Sequence, residues 1–210
     1  MTEAPIPTVL DAVNGHGARA AVPRAAPGAG RAAEAIGRVD RLDAAADAIH
    51  RRLEPILGPT ALGNALRGAW AGHPLHPLLT DLPIGSWTSA WVLDLVGGER
   101  AEPAADLLVA LGVVAAAPTV AAGWADWVEL PRAERRIGVV HAGANALATV
   151  LYAASLGARL GGRRSAGRGL GHLGAGVATV GGFLGGHLAF VSLPRPASGG
   201  RDVGPIQPSP

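Results

Sequence analysis

The sequence predicts an all-α, polytopic membrane protein: four transmembrane helices in a bundle, preceded by an amphipathic helix. Three observations predict it. The chain of 210 residues is 49% hydrophobic and only 16% charged, where a soluble domain carries about a quarter charged residues. Its mean hydropathy is +0.27. Its apolar residues gather into four blocks, each close to the roughly 20 residues that cross a bilayer.

The elements follow in chain order. Residues 1–30 are rich in Ala, Gly and Pro, carry no basic leader and no apolar core of a signal peptide, and read as a disordered tail. Residues 31–72 form an amphipathic segment and linker. Ile36, Val39, Leu42, Ala46, Ile49, Leu53 and Ile56 recur every three or four positions, with Arg and Asp between them. That helix is expected to end near Pro55 or Gly58-Pro59. The transmembrane domain is 73–193, with spans at about 77–97, 104–124, 137–158 and 169–193. Between Asp106 and Asp126 there is no charge, and the last two blocks are free of formal charge in their apolar runs. Residues 194–210 read as a second disordered tail.

Composition excludes several chemistries. There is no Cys, so disulfides, thiolate zinc sites, iron–sulfur clusters held by Cys and Cys nucleophiles are ruled out. All 18 basic residues are Arg, scattered between apolar blocks, and the net charge is +2. This is not the clustered charge that nucleic-acid binding needs. The first partner is therefore the lipid bilayer. Counting Arg near the spans favours cytoplasmic termini by one residue, in a multi-pass protein of the cell membrane.

Polar groups inside spans are costly and mark functional candidates. Following the chain through four spans places six of them at one end of the bundle. His76 and Asp81 open the first span, and Asp126 closes the second. His141 lies about 6 Å inside the third, with Asn145 one turn deeper on the same face. His187 lies about 7 Å before the end of the fourth. His73 lies just outside this group. His73 and His76 each precede Pro, which favours an extended approach to the first span with Pro77 near its first helical position. A weaker cluster, Asp94, Asp106 and His172, falls at the opposite end and reads as structural. Gly181, Gly182, Gly185 and Gly186 form overlapping Gly-x-x-x-Gly pairs suited to close helix packing.

Three chemistries compete for the first cluster. His141 and His187 could be axial ligands of haem b, with His76 a third candidate. The His and Asp groups could bind a divalent metal directly. Or they could form a hydrogen-bond network that sets helix register. The corresponding functions are a redox component and a non-catalytic membrane scaffold or assembly partner. A separate redox protein, a quinone and a second copy of the chain are the partners these functions admit. Ion conduction is the weakest alternative, because uncharged residues fill the middle of every span.

The run from Gly72-His73-Pro74-Leu75-His76-Pro77 through Thr80-Asp81-Leu82-Pro83-Ile84-Gly85 resembles the signature of the DUF2231 family of membrane proteins. So do Trp87-Thr88-Ser89-Ala90, Leu93-Asp94-Leu95, Gly123-Trp124-Ala125-Asp126-Trp127, His141 with Asn145, and the stretch from Gly181 to Leu188. The resemblance covers roughly 50–193. It implies a four-helix integral membrane domain without an established activity. One subgroup continues into a Rieske domain, which by analogy implies a role beside electron transfer. This chain departs from that subgroup, since without Cys it cannot carry a Rieske cluster.

Overall fold

The computed structural model describes residues 27–192, and among them every regular element is helical. The tails expected at 1–30 and 194–210 lie outside the described residues, except that 27–30 already belong to a helix. The elements are α1 (Pro27–Gly37), α2 (Asp43–Leu57), α3 (Ala61–Leu66), α4 (Leu75–Val96), α5 (Glu102–Trp127), α6 (Arg132–Leu160) and α7 (Arg164–His187). A 3-10 turn (Asp40–Leu42) precedes α2, another (Glu99–Ala101) leads into α5, and a π-turn (Leu188–Ser192) closes the described chain.

The single amphipathic helix expected across 32–57 is two helices. α1 stops at Gly37, and Val39 takes an extended conformation before the chain turns into α2. The apolar spacing runs through the break because both helices lay apolar residues on the same body. Ala33 of α1 is buried with Ile137 and Leu184. Ala46 and Leu57 of α2 are buried with Ala125, Trp127 and Val128. Pro55 does not end α2, which runs on to Leu57.

Among the described residues, three helices are long and apolar enough to cross a membrane: Glu99–Trp127, Arg132–Leu160 and Arg164–Phe190. The fourth span expected from sequence, α4, has 22 residues, enough length at about 1.5 Å per residue. It is not among those three; His76, Asp81, Asp94, two Pro and scattered Ser and Thr interrupt its Leu, Ile and Val.

α4 packs on α5 and α6 on α7 as two antiparallel hairpins, with much thinner contact between them. The links are short, and each uses a left-handed glycine: Gly98 (φ 62°) before α5 and Gly162 (φ 74°) after α6, where a side chain would be strained. Mid-bundle, Trp87 stacks on Tyr152 at 4.2 Å and 10° and joins the hairpins. Gly112 leaves room for the Trp87 indole, and Gly174 for the Tyr152 ring.

The end of the bundle formed by the C-termini of α4 and α6 is closed by ions. Arg159 of α6, its side chain 0% exposed, pairs with Asp94 of α4, itself 5% exposed. The same guanidinium reaches Asp106 of α5 at 3.2 Å. Arg164 of α7 also binds Asp106, at 2.6 and 2.7 Å. Arg168 binds Glu102 at 3.0 Å. One connected network thus touches all four long helices. Its outer members are surface-like and contribute little each; the Asp94–Arg159 pair is the buried one, where losing a partner is costly.

At the other end, α2 is fastened to α6 by a two-pronged pair. Arg136 Nε and Nη2 donate to Asp43 Oδ1 and Oδ2 at 2.7 and 2.8 Å, and its Nη1 donates to the Gly37 carbonyl. The Arg136 hydrogen bonds hold the Asp43 carboxyl below its ordinary value. A depressed carboxyl stabilises above the unfolded value and ceases to as pH falls through the folded one. Amide hydrogen-exchange protection of α2 should therefore be flat from pH 7 to about 5 and decline below about 4. Asp43→Asn should show the weakened protection already at pH 7.

Candidate functional site

Of the six polar groups expected at one end of the bundle, the structure brings His76, His141 and Asn145 together, with Asp126 beside His76. His76 sits in the first turn of α4. That helix starts at Leu75, with Pro74 extended ahead of it (φ −58°, ψ 133°). The expected extended approach therefore covers His73-Pro74 only, and His76 is helical. Pro77 falls within the first turn, where its missing N–H has no intrahelical partner to lose. His73 stays exposed, its Nδ1 3.3 Å from the Pro74 carbonyl.

His76 Nδ1 lies 2.9 Å from the Thr119 carbonyl of α5. A carbonyl only accepts, so this nitrogen carries a proton and donates it. The Thr119 hydroxyl donates to the Ala115 carbonyl of its own helix at 2.8 Å and lies 3.1 Å from the Leu79 carbonyl of α4. Gly123, one turn on, lets the imidazole lie against α5, since a Cβ there would meet the ring at 2.8 Å.

α6 and α7 repeat the arrangement. His141 Nδ1 donates to the Gly181 carbonyl at 2.8 Å. A Cβ on Gly185 would meet its ring at 2.7 Å. The Asn145 amide nitrogen lies 3.2 and 3.1 Å from the two ring nitrogens of His141. Nearly equal reach to both puts it over the ring, an N–H···π contact, not along the in-plane lone pair of Nε2. The two imidazoles meet across the hairpins, ring centres 6.3 Å apart and planes at 89°. Each ring is anchored at Nδ1 by a backbone carbonyl. Asp126, half-buried at the end of α5, lies near His76 and Arg67.

The other candidates are elsewhere. Asp81 is exposed on the outer side of α4. His187 is buried, but two positions past Gly185 puts it about 200° round α7. It faces α1 and the start of α6, beside Glu34, Gly37 and Ile137. The ring that meets His141 is that of His76. Among the described residues, no three His, Asp or Glu side chains come together as a metal site. The four glycines also separate: Gly181 and Gly185 face Asn145 and His141, whereas Gly182 and Gly186 have open space beside them.

In the opposite cluster Asp94 and Asp106 join the ion network, while His172 stands outside it, edge-on to Trp91 at 6.4 Å. The residue that sequence reasoning missed there is Arg159. It lies one residue past the expected span 137–158, on the side of the bundle where Asp94 and Asp106 fall. Arg67 was missed too. It holds the carbonyls of Leu57, Gly58 and Ala125 at 2.7 to 3.0 Å and ties the 57–68 segment to the end of α5.

The family model DUF2231, described as a predicted membrane protein, matches residues 72–192. The chain belongs to that family. No curated protein and no solved structure matches it. The DUF2231 match spans α4 to α7 and so includes both imidazoles, their carbonyl anchors and the ion network, and leaves α1 to α3 outside.

The open and closed glycines of α7 give a matched test. Gly185→Ala should lower the detergent melting stability by about 1–3 kcal/mol, the cost of overpacking. Gly186→Ala should be neutral or slightly stabilising, since it fills open space and gains helix propensity.

Proposed function

We propose that this is a four-span protein of the cell membrane with cytoplasmic termini, and that it is a redox component binding haem b between His76 and His141. On this reading α4 is the remaining span: it packs along α5 for its whole length, and its buried polar groups are satisfied by neighbouring helices. One observation supports the ligand assignment: two imidazoles from different hairpins, each anchored at Nδ1, with ring centres 6.3 Å apart. Anchoring the far nitrogen of a ligating His to a carbonyl orients the ring and raises its basicity. His76 and His141 would hold the haem iron, one ring from each hairpin.

The donor count favours haem over a bare metal ion. A metal held by side chains alone needs three or four of them, and no such group is assembled among the described residues. A haem brings its own equatorial nitrogens and asks only for axial ligands. Bound there, haem would supply one-electron chemistry. The chain's part would be to hold the rings, exclude water and keep Asp126 beside His76.

A scaffold is the second reading. It is favoured by the same hydrogen bonds, because each imidazole already ties two helices together without any cofactor.

A reduced-minus-oxidised absorption spectrum of protein purified from haem-replete cells separates the two. Sharp b-type bands are expected, absent in His76→Ala and in His141→Ala and retained in His187→Ala. A colourless protein with intact helicity would overturn the haem assignment and leave the scaffold.

A further inference from the structure

A second site lies further along α4, where the two hairpins part. Between α4 and α7 a half-open cleft of about 550 Å³ runs along the bundle, within the size range of small-molecule sites, roughly 300–1,000 Å³. The stacked Trp87 and Tyr152 line it, with Trp91 and His172 at its edge. Gly176, Ala178 and Gly182 keep the α7 side low. None of its lining residues is formally charged.

We propose that this cleft binds a neutral, flat-ringed lipid of the bilayer that carries a carbonyl acceptor, the quinone class. Flat aromatic walls favour a flat ring by offset or edge contact. The absence of charge selects a neutral ligand. The opening lies between two membrane-depth helices, so the ligand arrives from the lipid phase. An acyl chain fits less well, because it would leave the His172 imidazole and the Thr88 hydroxyl unpaired against hydrocarbon. Thr80, Thr149 and Thr179 return their hydroxyls to the carbonyl four residues back, and Thr88 makes no such bond among the described residues. A ring carbonyl would accept from one or both of these groups. No step of electron transfer is needed for binding, and the site takes its ligand whether or not His76 and His141 hold haem.

The test is a titration of the full chain in phospholipid nanodiscs with a decyl-tailed benzoquinone, read by quenching of tryptophan fluorescence. Trp87 and Trp91 lie in the cleft. A saturable, one-site component above simple partitioning is expected. It should weaken about tenfold in Ala178→Phe, which fills the cleft, and in His172→Leu, which removes the hydrogen-bond partner, with helicity unchanged in each. It should persist in His76→Ala. Quenching that only follows partitioning overturns the proposal. So does saturable quenching that is unchanged in both cleft variants, or that is displaced equally well by a decyl lipid without a ring.

Discussion

A guanidinium with no exposed surface sits among helices built almost wholly of small apolar residues, and the rest of the bundle is arranged around it. Arg159 cannot shed its charge, so its burial demands an anion, and Asp94 and Asp106 supply two from the opposite hairpin. The demand is geometric as well as energetic. α4, α5 and α6 must present those three residues at one height, which sets their register. Arg164, Arg168 and Glu102 extend the tie to α7. Glycine and alanine give these helices little side-chain shape by which to choose a register, so an ionic anchor at one end has much to specify. Ser155 supports it from within, accepting from Arg159 Nε and donating to the Gly167 carbonyl.

The opposite end is held by a different chemistry. There the helices exchange imidazole and hydroxyl hydrogen bonds for backbone carbonyls, and glycines let the rings lie close. Such bonds between membrane helices are worth less than a buried ion pair, on the order of 0.6 kcal/mol each. The contact between hairpins is correspondingly thin away from the ion network, resting on the Trp87–Tyr152 stack and the two imidazoles. That thinness is what leaves an aromatic cleft on one side and a pair of anchored imidazoles on the other. α1 and α2, outside the family match, cover the imidazole end through Arg136, Asp43 and the carbonyl of Gly37.

Depth was legible in the sequence and rotation was not. Counting residues through the spans put His76, His141 and Asn145 at one level, and they do meet. Asp81 and His187 share that level but leave α4 and α7 on other faces. With apolar residues all round a helix, no periodicity says which face turns inward. The pattern of Gly181 and Gly185 against Gly182 and Gly186 is equally silent, since four glycines look alike until a neighbour is placed over two of them. The break at Gly37 was hidden because apolar spacing continued across it. α4 reads as a span from the length of its apolar block, which Asp81 and Asp94 interrupt, and it is not among the three helices apolar enough to cross a membrane. Arg159 went unnoticed because a charge near a helix end looks like a loop charge until the helix is seen to continue past it.

The most direct test of this account is a double-mutant cycle on Asp94 and Arg159, using Asp94→Asn, Arg159→Met and the pair, with unfolding free energies measured in one detergent. If the buried pair sets the register of the bundle, the two substitutions are strongly coupled, by about 2–3 kcal/mol, at the upper end for groups in contact. Costs that simply add, within about 0.5 kcal/mol, would contradict it: Arg159 would then be an incidental charge, and the arrangement of the helices would have another cause.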